Sequence, residues 1–329
     1  MTDYSAIHYL QKKIRKAAAA LPQDFKDIPE LERYRENTRR ALMRMLPVIQ
    51  PASLGPDIVT ATMPLGEDLS ISAVDVCVDE DLYTSIHIYR PMYVVGRLPC
   101  VLILPGYGQM KNYTDVADAG IAFAKAGFMA AAIDYPATGE SASRPDAVTD
   151  INNVTTLAYM LGMSDVGLRV SYNFAALRYL KSRGDVDPGR IGMTGLCQGG
   201  IILWHTAALT DGFAALAPVC GVTTLEAEAC EYVNRQGGWS GASPFVYDIL
   251  SVADVGQMYA MCAPIPLFVQ NNITDIHWPY SGLQKVKDIA GKAYALYGAG
   301  DKISFRIEHN THAFTGFCDN LVSFFQKTL

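Results

Sequence analysis

From residue 55 onward the chain alternates between two textures. Short apolar runs of strand length, bounded by Gly, Pro, Asn and Asp, are separated by longer segments whose apolar positions recur at helical spacing. Residues 58–63, 71–78 and 83–89 come first, with no helix between them, which predicts an antiparallel leading edge. Residues 99–104 form a continuous apolar run that ends in Pro105-Gly106-Tyr107-Gly108. A helix is predicted over about 114–126, a strand over 127–134, and a helix over about 164–183 on the stripe Leu168, Tyr172, Ala175, Ala176 and Tyr179. Residues 190–194 predict a buried strand, and 201–205 the start of a buried helix. Strands at 213–219, 266–270 and 303–308, a helix near 279–293 and a closing helix at 315–327 complete the series. This spacing implies βαβ units, hence an α/β fold with a mostly parallel central sheet covered by helices on both faces.

Two segments depart from the alternation. Residues 1–54 carry no strand signal, and Pro22 and Pro29 divide them into at least two helices. They are expected to form a helical extension packed on a main domain at 55–329. The basic run Lys12, Lys13, Arg15 and Lys16 reads as a solvated helix face. Residues 222–262 separate two core strands by more than a crossover requires. They hold Gly237-Gly238-Trp239-Ser240-Gly241, Phe245, Tyr247 and Tyr259, and are read as a small lid over the carboxyl ends of the strands, or as a plain surface excursion.

The candidate chemistry sits at the join of strand and helix. Gly195-Leu196-Cys197-Gln198-Gly199-Gly200 places a thiol at a sharp turn, with glycines where neighbouring side chains would clash. The helix beginning there aims its amino-terminal N–H groups and positive dipole end at the sulfur, which favours thiolate. The plainer alternative is a small apolar core residue. A cysteine nucleophile needs a base, and the base an orienting carboxylate. The strand at 266–270 runs into a loop holding Asp275, and the strand at 303–308 into a loop holding His312, so these are the expected acid and base. Rivals are less well placed: His8, His87 and His205 read as structural, His309 adjoins a strand end, and Asp254 and Asp301 follow no core strand directly. His277 either lines the pocket or packs on Trp278. An oxyanion hole is expected from the amide of Gln198 and from the loop at 105–109, with Tyr107 N–H as the donor, or Gly106 or Gly108 if Tyr107 is only a packed aromatic. Trp239, Phe245 and Tyr247 are the expected substrate-facing aromatics of the lid.

Composition narrows the classes. With 329 residues, half of them apolar, the chain can bury a sizeable core, and a net charge of −6 offers no basis for binding nucleic acid or an anionic membrane. No apolar leader or membrane-length stretch is seen, so cytoplasmic residence is expected. Seven cysteines without C-x-x-C spacing imply neither zinc nor disulfides. No metal or organic cofactor is required by the chemistry, and the extension is a plausible homodimer surface.

The run from Arg183 to Gly200, together with Asp134-Tyr135-Pro136-Ala137-Thr138-Gly139-Glu140-Ser141, resembles the dienelactone hydrolase-like and acetyl xylan esterase-like branch of the α/β-hydrolases. The similarity covers about residues 70–329. It implies an α/β-hydrolase fold and a Cys-Asp-His set matching Cys197, Asp275 and His312. Two features depart from the pattern. The loop at Gly106 lacks the glutamate that dienelactone hydrolases place beside their cysteine and the histidine common in esterase loops, and residues 222–262 exceed the compact core. The expected activity is hydrolysis of an activated ester, lactone or thioester through an acyl-cysteine. The alternatives are passage of the acyl group to another acceptor, as in a cyclase or acyltransferase, and a hydrolase-shaped ligand-binding protein.

Overall fold

The computed structural model describes residues 5–49, 55–142, 147–232, 245–312 and 316–329. A nine-stranded sheet runs through them: β1 (Ile58–Leu65), β2 (Leu69–Asp79), β3 (Leu82–Pro91), β4 (Leu98–Leu104), β5 (Met129–Ile133), β6 (Val186–Leu196), β7 (Ala215–Val219), β8 (Leu267–Asn272) and β9 (Ile303–Glu308). Their spatial order is β1-β2-β3-β5-β4-β6-β7-β8-β9. β1, β2 and β3 pair antiparallel, as does β3 with β5; every later pairing is parallel. Burial explains the difference in sequence texture. β5 and β7 are covered on both faces and every residue in them is buried, so they read as unbroken apolar runs. β1 is exposed along nearly its whole length.

The helices are α1 (Ala6–Ala20), α2 (Ile28–Met45), α3 (Thr114–Lys125), α4 (Ala147–Met160), α5 (Asp165–Ser182), α6 (Gln198–Leu209), the short α7 (Leu225–Ala227), α8 (Val255–Ala260), α9 (Tyr280–Leu296) and α10 (Phe317–Thr328). Their ends are locally encoded. Asp27 accepts from Glu30 N at 2.8 Å with Pro29 in the first turn of α2, Ser164 accepts from Gly167 N at 3.0 Å, and Asp254 with Gln257 closes a capping box on α8. α6 is buried on every side, which accounts for its lack of a polar stripe.

The two amino-terminal helices lie against this core. Leu31, Leu42 and Leu46 are fully buried, and Arg39 reaches the end of α6 at Ala208 O (3.1 Å) and Asp211. Lys12, Lys13, Arg15 and Lys16 remain exposed. The expected insertion at 222–262 divides. Its last part, 253–262, is buried and α8 packs on α6 and α9, so this stretch belongs to the core and is no lid. The apolar series Val255, Met258 and Tyr259 is what draws it inward. α4 and α8 are helices that the apolar pattern did not predict.

Chain order changes direction at β4. From β4 the chain steps through α3 to β5 on one side, then returns across β4 to β6 on the other. At such a reversal the following loops diverge and leave a crevice at the carboxyl ends of the strands. Here those loops are 105–113 after β4 and the turn at Cys197 after β6.

Candidate active site

The strands finish level, which brings distant residues together. Leu104 registers with Gly195, Leu196 with Val219, Val219 with Gln270 and Asn272 with Glu308. Cys197 therefore leaves the sheet beside the loop that follows Leu104, and its N–H donates to Val219 O at 2.9 Å. It caps α6 with φ 55° and ψ −115°, in the left-handed half of the map that a side chain rarely adopts. Such a conformation costs on the order of 1–3 kcal/mol and persists only when its surroundings enforce it. The surroundings are tight: a Cβ at Gly195 would sit 2.2 Å from Gly199 O, and one at Gly199 would sit 2.3 Å from Leu104 O. Strand and helix can approach this closely only through glycine, which is why the motif has its spacing. The thiol itself is partly exposed.

Asp275 and His312 come together from the next two loops. Asp275 is buried; its Oδ1 accepts from His277 N at 2.8 Å and Trp278 N at 3.3 Å, leaving Oδ2 aimed at His312 Nδ1, 3.1 Å away. The loops are laced to each other: Ile273 N donates to Glu308 O at 2.9 Å, and Thr274 Oγ1 donates to Asn310 O at 2.7 Å. Burial opposes charge on the His312 ring, but hydrogen bonds with Asp275, Cys197 and Cys220 outweigh it and hold its pKa up at about 12. Next to it, His277 is pushed the other way, first by burial and then by the His312 charge. Its ring lies edge-on to His312 with centroids 4.8 Å apart, and 6.3 Å from Trp278. His277 thus has Trp278 and His312 as its ring neighbours.

The loop after β4 completes the crevice. Gly106 faces Cys197: a Cβ there would lie 3.3 Å from Cys197 Cβ. Its amide donates to Gln109 Oε1 at 2.8 Å, so Gly106 N–H is engaged within the loop. Gly108 turns with φ +68°. Gln198 opens α6 directly after the cysteine and is buried. Beneath the loop, buried Asp134 accepts from Lys111 N (2.7 Å) and Lys111 Nζ (2.6 Å), and Lys111 also pairs with Glu140. This ion pair ties the loop after β4 to the loop after β5. It gives a physical role to the Asp134–Ser141 segment, where Gly139 leaves room for the carboxylate.

Other expected residues lie elsewhere. Trp239 falls in 233–244, outside the described residues. Phe245 and Tyr247 line a cavity of about 790 Å³ with Ala41, Arg44, Met45 and Tyr159, and the lining does not include Cys197, Asp275 or His312. Tyr247 is 91% exposed. Of the rivals, Asp254 is committed to Leu225 N and Val255 N, both at 2.7 Å, and His205 is buried against Trp204 with its pKa lowered to about 3 by burial. His309 is exposed at the strand end.

One residue beside His312 was not singled out by the sequence: Cys220, directly after β7. Its sulfur, an Asp275 oxygen and a His312 nitrogen lie within 4.8 Å of one another. Cys220 has φ 62°, is buried, and accepts from Asn272 Nδ2 at 3.3 Å. Burial pushes its thiol up to about 11 against the pull of His312. The signal was present in outline, since Val219-Cys220-Gly221 ends a strand with a cysteine as Leu196-Cys197 does.

The strand order, the parallel pairings and the turn at Cys197 define an α/β-hydrolase architecture. Comparison with known proteins agrees. Residues 86–235 match the dienelactone hydrolase family. The chain is 30% identical over 139 residues to YtaP of Bacillus subtilis, a candidate hydrolase, covering 41% of this chain and 44% of that protein. It is 32% identical over 149 residues to a candidate 2-oxo-3-(5-oxofuran-2-ylidene)propanoate lactonase of Bradyrhizobium, covering 45% of this chain and 53% of that one. The chain thus spans about half the length of these two relatives. Among solved structures, a candidate acetyl xylan esterase of Bacteroides fragilis superposes with a TM-score of 0.78 at 18% identity, over 94% of this chain and 83% of that one. No described helix is long and apolar enough to cross a membrane.

Proposed function

We propose that this chain hydrolyses an activated carboxylic ester, lactone or thioester through an acyl-cysteine formed on Cys197. The observation that carries the reading is the meeting of a partly exposed thiol on a strained turn with an imidazole already held by a buried carboxylate. Cys197 thiolate attacks the carbonyl carbon, and the developing oxyanion is taken by the backbone N–H groups of Gln198 and Tyr107. His312 protonates the leaving group. Once the sulfur is acylated it no longer supports the imidazolium, so His312 becomes a base for the incoming water. Asp275 keeps the ring in one orientation throughout. Alkoxides and amines leave poorly against a thiolate, so lactones, enol esters and thioesters suit this site better than amides. The Bradyrhizobium relative, named for a lactonase, points the same way.

The test is intact-protein mass spectrometry and turnover with p-nitrophenyl esters, lactones and acyl thioesters, comparing wild type with Cys197→Ala. Acyl addition or turnover lost in the variant supports the reading. Turnover that survives it removes Cys197 from the mechanism.

A further inference from the structure

We infer that Cys197 and Cys220 form a peroxide-sensitive pair, in which Cys220 closes a disulfide on oxidised Cys197. This rests on the reading of Cys197 as the reactive thiol of the site. The two cysteines leave neighbouring parallel strands at the same level, each one residue beyond the register pair Leu196–Val219. Adjacent strands lie about 5 Å apart, inside the roughly 4.4–6.8 Å between Cα atoms that a disulfide spans. The two backbones are in contact, since a Cβ at Gly221 would lie 2.2 Å from Cys197 O. Their sulfurs converge on one imidazole, His312, and neither is bridged in this structure.

Exposure orders the steps. Cys197 is partly exposed and meets the oxidant first, whereas Cys220 is 1% exposed. Cys197 thiolate attacks one oxygen of hydrogen peroxide and the O–O bond breaks. The sulfur is oxidised to sulfenic acid, and the departing hydroxide takes the His312 proton and leaves as water. The imidazole, now neutral, accepts the proton of the Cys220 thiol. Cys220 sulfur then attacks Cys197 sulfur and displaces hydroxide, which recovers that proton from His312. Two thiols and one peroxide yield one disulfide and two waters. A dithiol reductant restores both thiols by exchange. Without Cys220, the sulfenic acid stays open to further peroxide and passes to sulfinic acid, which such a reductant does not reverse.

The experiment treats the full-length protein with hydrogen peroxide in the presence of a metal chelator. Remaining thiols are then blocked, and intact mass and peptides are read. No Lys or Arg lies between Arg190 and Arg235, so chymotrypsin and a glutamyl endopeptidase are used to separate Cys197, Cys220 and Cys230. Wild type is expected to lose two hydrogens and give a Cys197–Cys220 linked peptide that dithiothreitol abolishes. Cys220→Ser and Cys220→Ala are expected to give no such link and to gain two oxygens at Cys197 instead. Gain of oxygen at Cys197 in wild type without the link overturns the proposal, as does equal loss of dithiothreitol-recoverable activity in wild type and both variants. A linked peptide in a protein inert to every ester, lactone and thioester would sink the proposed hydrolysis while leaving the thiol pair standing.

Discussion

Two corners of this molecule share a backbone plan and differ in what they offer a substrate. At the ends of β6 and β7, Cys197 and Cys220 each follow a strand with φ near +60°, and each touches His312. One thiol is partly exposed at the head of a twelve-residue helix; the other is buried, with Asn272 on its sulfur and a loop rather than a long helix after it. Backbone geometry alone therefore does not make a nucleophile. Access and the amino terminus of a long helix are what set the first corner apart from the second.

The sharpest way to break this comparison is Cys197→Ala. It is expected to lower kcat/KM by at least about 10³-fold and abolish the acyl adduct, as removal of a nucleophile does elsewhere. Asp275→Asn is expected to cost about 10²–10⁴-fold, mainly in kcat, because His312 loses the carboxylate that orients it; steady-state kinetics on any turned-over ester would check this. Gly221→Ala joins the two corners by force. Its Cβ meets Cys197 O at 2.2 Å on a residue with φ +75°, so a destabilisation of about 2–3 kcal/mol is expected in urea unfolding.

A smaller effect concerns pH. The folded-state pKa of His312 is raised from the ordinary 6.5 to about 12. Its charged form thus adds stability that is complete below pH 6.5 and fades as the pH climbs toward 12. His312→Gln is accordingly expected to destabilise the protein more at pH 6 than at pH 10, measured by denaturation at both. The smallest change is expected from Tyr247→Ala, within about 2-fold in kcat/KM, because this exposed ring lines a cavity that does not include Cys197.

Much of the plan was legible in order along the chain. Period-two and unbroken apolar runs marked the strands, and the positions of Asp275 and His312 followed from counting loops after strands. The structure places those two side chains 3.1 Å apart, as that counting implies. What linear pattern could not carry was register. Whether Val219 pairs with Leu196 is decided by sheet packing, so the nearness of Cys220 to the site was invisible until the strands were set side by side. Residues 253–262 failed for a related reason: aromatic content suggests a cover over a pocket as readily as a wall of the core, and only neighbours distinguish them. α4 was missed because its apolar residues lie on no clear stripe, and Leu157 and Met160 remain exposed.

The bonds between the loops of Asp275 and His312 bear on how this architecture can change. With Ile273 held to Glu308 and Thr274 to Asn310, the two loops form one clasp at the edge of the sheet, and α9 carries the chain from one half of the clasp to the other while burying one face in the core. Ring orientation is inherited from β8 and β9, so the outer surface of α9 can be recast while its buried face, with Leu283, Val286, Ala290 and Tyr294, keeps its place. Variation in such a protein can accumulate on the connector's outer face while Asp275 and His312 stay in place.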